Sequence, residues 1–177
     1  MIQDLVEVAV EVLAPPIGPE RQAKLDPNQV VVQFGGGVGA FRDGLNESGW
    51  LADEVLAAGT VRQGKPPSAL TAATGLVLLQ MVRRRTKSLP REFVLAATAD
   101  RVVAFAMSAE GTETTTTTIH IKRRELGSWP RELVRVFDST KGFFAKGATL
   151  ELGGADRFPI MWVGDDSTDE LVELLGG

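Results

Sequence analysis

Acid–base chemistry near neutral pH is most readily run by histidine, and the 177-residue chain holds only one, His120. It has no cysteine and no tyrosine. Disulfides, thiolate nucleophiles and thiolate metal sites are therefore excluded. A Ser-His-Asp triad or a zinc centre would have to be built around one imidazole. His120 sits in the alternating run Ile119-His120-Ile121-Lys122, on the face opposite the isoleucines, where a solvated strand residue is the simpler reading. Four acids gather at Asp165, Asp166, Asp169 and Glu170. Such oxygen donors suit a hard cation, yet carboxylates at a helix start are already favoured by the helix dipole. Ser167 and Glu170 also have capping-box spacing. These groups give no catalytic residue and no metal ligand.

Two glycine motifs point to phosphate chemistry. Gly35, Gly37 and Ala40 follow the β-branched run Val30–Val32 in the pattern Gly-x-Gly-x-x-Ala. Glycines so placed allow a tight turn and let amides at a helix start meet a pyrophosphate. The full fingerprint needs an uninterrupted helix, then a second strand ending in an acid. Gly44, Asn46 and Gly49 break the helical pattern here, and Asp53 and Glu54 fall inside another one. A loop with no cofactor is the reading, with Gly35, Gly37 and Gly39 as the positions any nucleotide would use. The second motif, Gly59 to Lys65, matches a phosphate-binding loop for seven positions. Its eighth position is Pro66, which has neither the magnesium-binding hydroxyl nor the amide the loop requires.

The elements that would hold these residues divide at about residue 90. Residues 1–90 read as a mainly helical N-terminal segment. Ile2, Leu5, Val6, Ala9, Val12 and Leu13 form one face of a first helix that ends at Pro15-Pro16. After a strand at Val30–Phe34, a helix carrying Trp50, Leu51, Val55 and Leu56 is expected to stop at Gly59. Ser68 then caps a strongly apolar helix over about 69–85. Its apolar part, Ala69–Val82, spans about 21 Å at 1.5 Å per residue, too short for a hydrocarbon core of roughly 30 Å. Its basic end, Arg83, Arg84, Arg85 and Lys87, suits the helix dipole and is the candidate interaction surface, against a partner or anionic headgroups.

Residues 91–177 change period to two. Strands are expected at Phe93–Ala97 and Val102–Met107, joined by a turn at Ala99–Arg101, and then at Thr114–Lys122, Leu133–Phe137, Ala148–Leu152 and Ile160–Val163, with one more at Gly142–Ala145. A short helix with Leu171, Leu174 and Leu175 buried closes the chain at Gly176.

Composition sets the remaining bounds. A hydrophobic share of 44% with 24% charged residues belongs to a globular chain. The net charge of −4 argues against a nucleic-acid partner. Met1-Ile2-Gln3-Asp4 has no secretory n-region or h-region, so a cytoplasmic location is expected.

The strand series, the stretch Trp129-Pro130-Arg131-Glu132-Leu133-Val134-Arg135-Val136 and the closing helix Ser167–Leu175 resemble bacterial pleckstrin-homology-like domains over the second half of the chain. That resemblance implies a bent antiparallel barrel or sandwich plugged by the last helix, in a binding or scaffolding module. The expected fold is thus α+β: a helical N-terminal segment followed by a PH-like antiparallel β-barrel or sandwich. The expected function is non-catalytic binding through protein–protein contacts, with no cofactor. The alternatives are a nucleotide-binding protein or enzyme using Gly35–Gly39, and a membrane-associated or self-assembling homo-oligomeric subunit using the 69–82 helix.

Overall fold

The computed structural model describes residues 26–66, 88–111, 117–142, 145–163 and 165–176. In chain order these form β1 (Gln29–Gln33), α1 (Ala40–Ser48), β2 (Ala57–Gln63), β3 (Glu92–Ala97), β4 (Arg101–Gly111) and β5 (Thr117–Pro130). A 3-10 turn at Arg131–Leu133 leads to β6 (Arg135–Lys141), β7 (Lys146–Leu152), β8 (Asp156–Trp162) and α2 (Asp166–Leu175). All eight strands join one sheet in the order β1-β5-β4-β3-β2-β8-β7-β6, and every neighbouring pair is antiparallel. The expected first helix at 1–13, the apolar helix at 69–85 and most of the threonine run lie outside the described residues.

Why β3 occupies the middle is written in its residues. Phe93, Leu95 and Ala97 point to one face, Val94 and Ala96 to the other, and all five are buried. A strand covered on both faces reads as a continuous apolar run rather than an alternating one. On one side Phe41 and Leu45 of α1 pack with Val94, Ala96, Val103, Phe105, Ile119 and Ile121. On the other, Leu171 and Leu175 of α2 pack with Phe93, Leu95, Leu150 and Ile160.

The sheet curls so that its two halves share this second core. Trp129, at the end of β5, lies 3.3 Å from where a Cβ on Gly153 would sit, in the β7–β8 turn. The Gly154 amide donates to the Leu133 carbonyl. Arg131 donates to the carbonyls of Thr98 and Leu174, at 3.3 and 3.0 Å, tying the β3–β4 turn to the end of α2. Strand twist of about 20–25° per step, over seven steps, accumulates to roughly 160°, which is enough for such a curl.

The expected architecture is corrected on two counts. First, residues 50–56 are not helical and 57–63 are a strand, so the described part of the first ninety residues supplies β1, β2 and a single nine-residue helix. Gly59 does not stop a helix. It lies mid-strand because α2 presses on it, and a Cβ there would stand 2.6 Å from the Thr168 Cα. Gly44 likewise sits inside α1, where a Cβ would stand 2.9 Å from Val30 Cγ1. Second, the strands make one open sheet rather than a closed barrel or a two-sheet sandwich. Its edges, β1 and β6, do not pair with each other.

Smaller differences have local causes. β5 runs on to Pro130, past the charged stretch Lys122–Glu125, because Arg123, Arg124 and Glu125 are exposed. Pro159 falls inside β8 rather than before it. The β2–β8 register ends at Gln63↔Ile160 and the Gly64 amide donates to the Pro159 carbonyl at 2.9 Å, so the missing Pro159 amide falls at the very end of that ladder, where proline is tolerated. No described helix is long and apolar enough to cross a membrane.

Candidate functional site

The glycine loop does lie between a strand and a helix. Gly35, Gly37 and Gly39 have φ of +80°, +99° and +84°, a left-handed conformation that glycine adopts without penalty. Among the described strands β1 neighbours only the antiparallel β5, so the loop is not set in the parallel β-α-β unit that the dinucleotide fingerprint needs. The loop's groups are also engaged within the chain. Ser167 Oγ donates to the Gly37 carbonyl at 3.1 Å, and the Arg42 guanidinium folds over Gly39. Arg42 itself pairs with Asp43 and Glu170. The phosphate-loop match, Gly59 to Lys65, falls largely on β2 and has no loop to offer.

Of the four acids at the start of α2, Asp165, Asp169 and Glu170 are engaged separately, and Asp166 is exposed. Asp165 is buried and is the N-cap: its carboxylate accepts from the Ser167 amide and from Thr168 Oγ1. The cap is thus Asp165, two residues earlier than the Ser167–Glu170 spacing suggests. Asp169 accepts from Trp162 Nε1 at 2.8 Å and from Lys146 Nζ. Burial pushes the Asp169 carboxyl up, but these two donors outweigh it and hold it below the usual carboxylate range. Among the described residues no three His, Cys, Asp or Glu side chains converge on a metal-sized site. His120 is half-buried: its Nδ1 lies 2.6 Å from Gln29 Nε2, and its Nε2 lies 3.5 Å from Glu110. Arg83, Arg84, Arg85 and Lys87 lie outside the described residues.

A concave apolar site appears elsewhere, on the α1 side of the sheet. Strand β4, at about 3.4 Å per residue, extends far beyond a nine-residue helix, which covers about 13 Å. Past the end of α1 the same face continues as a groove of about 360 Å³, walled by Phe34, Met107, Ile119, Met161 and Val163. Its polar rim is the ion pair of Arg62 with Glu92, cross-strand neighbours on β2 and β3. Val163 is 57% exposed at the mouth. None of these residues stood out in the sequence. The one signal for them is the length of the apolar stripe Val103, Phe105, Met107 and Ala109, which exceeds what a short helix can cover.

Comparison with known proteins finds no family model, no curated protein and no solved structure that matches the chain.

Proposed function

We propose that the protein is a non-catalytic binding or scaffolding module that acts through protein–protein contacts, with the groove beyond α1 as its contact site. The groove itself carries this reading. It is an apolar concavity with two thioethers in its wall and a charge pair at its rim. Methionine's unbranched, polarisable side chain adapts to varied partner surfaces, and Arg62 and Glu92 supply polar contacts to fix a partner's orientation. The groove is large enough for one or two apolar side chains of a partner segment. The resemblance of residues 93–175 to pleckstrin-homology-like modules, which typically bind or scaffold, rests there on six successive strands, β3 to β8, followed by α2, although the sheet they belong to is open. The nucleotide alternative lacks the parallel β-α-β setting of the fingerprint, since among the described strands β1 pairs only with the antiparallel β5.

The test is site-specific photocrosslinking from Ala109 in the groove wall, in lysate, with the adduct identified by mass spectrometry. Val163→Asp, at an exposed position, and Met107→Glu should both abolish the adduct while circular dichroism stays unchanged. An adduct that survives both substitutions would show that the groove is not the contact site.

A further inference from the structure

The two edges of the sheet are built differently. Strand β6 carries Arg135, Asp138 and Lys141, and Asp138 adopts a left-handed φ of 56° where the β6–β7 register shifts. Charges and bulges of this kind keep a sheet edge from pairing with another chain. Strand β1 has no such device. Its five residues, Gln29-Val30-Val31-Val32-Gln33, carry no charge, proline or bulge.

The direction of each β1 backbone group is set by its register with β5. Residues 29 to 33 pair with 122 to 118, the Arg123 amide donates to Asn28, and the Phe34 amide donates to Thr117. In an antiparallel ladder, residues alternate between bonding the neighbour and facing away. The even residues therefore bond β5, and Gln29, Val31 and Gln33 present their amides and carbonyls outward. Two of those six groups are taken locally. The Gln29 amide donates to Asp26 at 2.9 Å, and the Gln33 carbonyl accepts from Gly36 at 3.0 Å. Among the described residues nothing pairs with the remaining outward groups, the Gln29 carbonyl, both groups of Val31 and the Gln33 amide.

This set is complementary to itself. An antiparallel copy related by a two-fold axis through Val31 places Val31 opposite Val31, and Gln29 opposite Gln33. Each Val31 amide then meets the other Val31 carbonyl, and each Gln33 amide meets the other Gln29 carbonyl. Four donors meet four acceptors with none left over. The pair that would be superfluous, the Gln29 amide and the Gln33 carbonyl, is the pair already satisfied within the chain. The side chains obey the same symmetry, since Gln-Val-Val-Val-Gln reads identically in both directions. Charge is compatible as well: no like charges oppose across the axis, although each copy is net negative. Val31, 49% exposed, would be covered by its counterpart.

We infer that the chain forms a two-fold symmetric dimer by edge-to-edge pairing of β1, an isologous contact centred on Val31. The test is sedimentation of the full chain. Wild type is expected at twice the monomer mass. Val31→Pro removes an outward amide that no described residue uses, so the described fold tolerates it, and loss of two central bonds weakens the dimer by about 30- to 100-fold. Val31→Lys sets like charges across the axis and gives monomers. Mixing Val31→Lys with Val31→Asp restores a dimer containing one copy of each. A wild type that stays monomeric at high micromolar concentration overturns the inference. A dimer indifferent to both Val31→Lys and Val31→Pro overturns it too.

Discussion

Gly59→Ala tests the packing of α2 on the sheet most sharply. A Cβ at this position would stand 2.4 Å from Thr168 Oγ1, 2.9 Å from Thr168 Cβ and 2.6 Å from Thr168 Cα. Relaxed carbon contacts lie at about 3.5–4.0 Å, so the helix must retreat by about 1 Å. Overpacking of this kind costs about 1–3 kcal/mol. Retreat also loosens the contact of Thr168 Oγ1 with the Thr60 carbonyl, at 3.2 Å the longer arm of a single proton shared with the Asp165 carboxylate at 2.8 Å, for up to about 1 kcal/mol more. Against this, alanine in place of a strand glycine returns about 0.5–1 kcal/mol. The net expectation is a loss of about 2–3 kcal/mol in urea unfolding followed by tryptophan fluorescence. The decisive control is the double substitution Gly59→Ala with Thr168→Ala. Trimming the threonine removes the hydroxyl but leaves the Cα at 2.6 Å, so stability is not rescued. A single variant within about 0.5 kcal/mol of wild type, or a rescued double variant, would refute a backbone-limited contact between α2 and β2.

Asp169→Asn should change the acid limb of the stability curve. The folded Asp169 carboxyl lies below its ordinary value, so its stabilisation is complete above the unfolded pKa and is lost as pH falls through the folded one. The gap between wild type and variant should be flat above about pH 5 and should close in acid; a gap that widens on acidification contradicts the reading. Asn46→Ala removes both bonds that hold the segment after α1, the Val55 amide to Oδ1 at 2.8 Å and Nδ2 to the Val55 carbonyl at 3.1 Å. A loss of about 2–3 kcal/mol is expected, with faster amide exchange at Val55, and Asn46→Asp should fall between alanine and wild type because it keeps only the acceptor.

The legible parts of the fold are those whose pattern is local. Strands β3, β4 and β7 and the turn after Thr98 follow from two-residue periodicity and turn chemistry, and α2 follows from its leucine stripe. The misread stretches share one cause: glycines whose role is set by a distant element. In sequence Gly44 and Gly59 look like helix breakers. In the fold one lets α1 settle on Val30 and the other admits Thr168, 109 positions away along the chain. Ala57-Ala58 before Gly59 reads as helix because alanine favours it, and pairing with β3 that buries one alanine in each core overrides that preference. The groove was illegible for the same reason. Its walls come from the residue after β1 and from β4, β5, β8 and the position beyond β8, and only the completed sheet brings those residues together.

The groove and the β1 edge are joined by one residue. Phe34, which lines the groove, follows β1 directly and lies three positions beyond Val31, about 10 Å along the strand. A two-fold axis through Val31, normal to the sheet, would place the two Phe34 side chains about 20 Å apart on the same face of one continuous sheet. Two grooves at that spacing can engage one partner that carries two apolar segments, or a partner that is itself dimeric. The second contact then forms at an effective concentration set by geometry rather than by the bulk solution. A groove of about 360 Å³ gives a weak contact by itself, since buried area must first offset the entropy of association. Doubling the site through a strand edge that matches only itself is a physical route from such a groove to useful avidity, and it needs no residue that either surface does not already have.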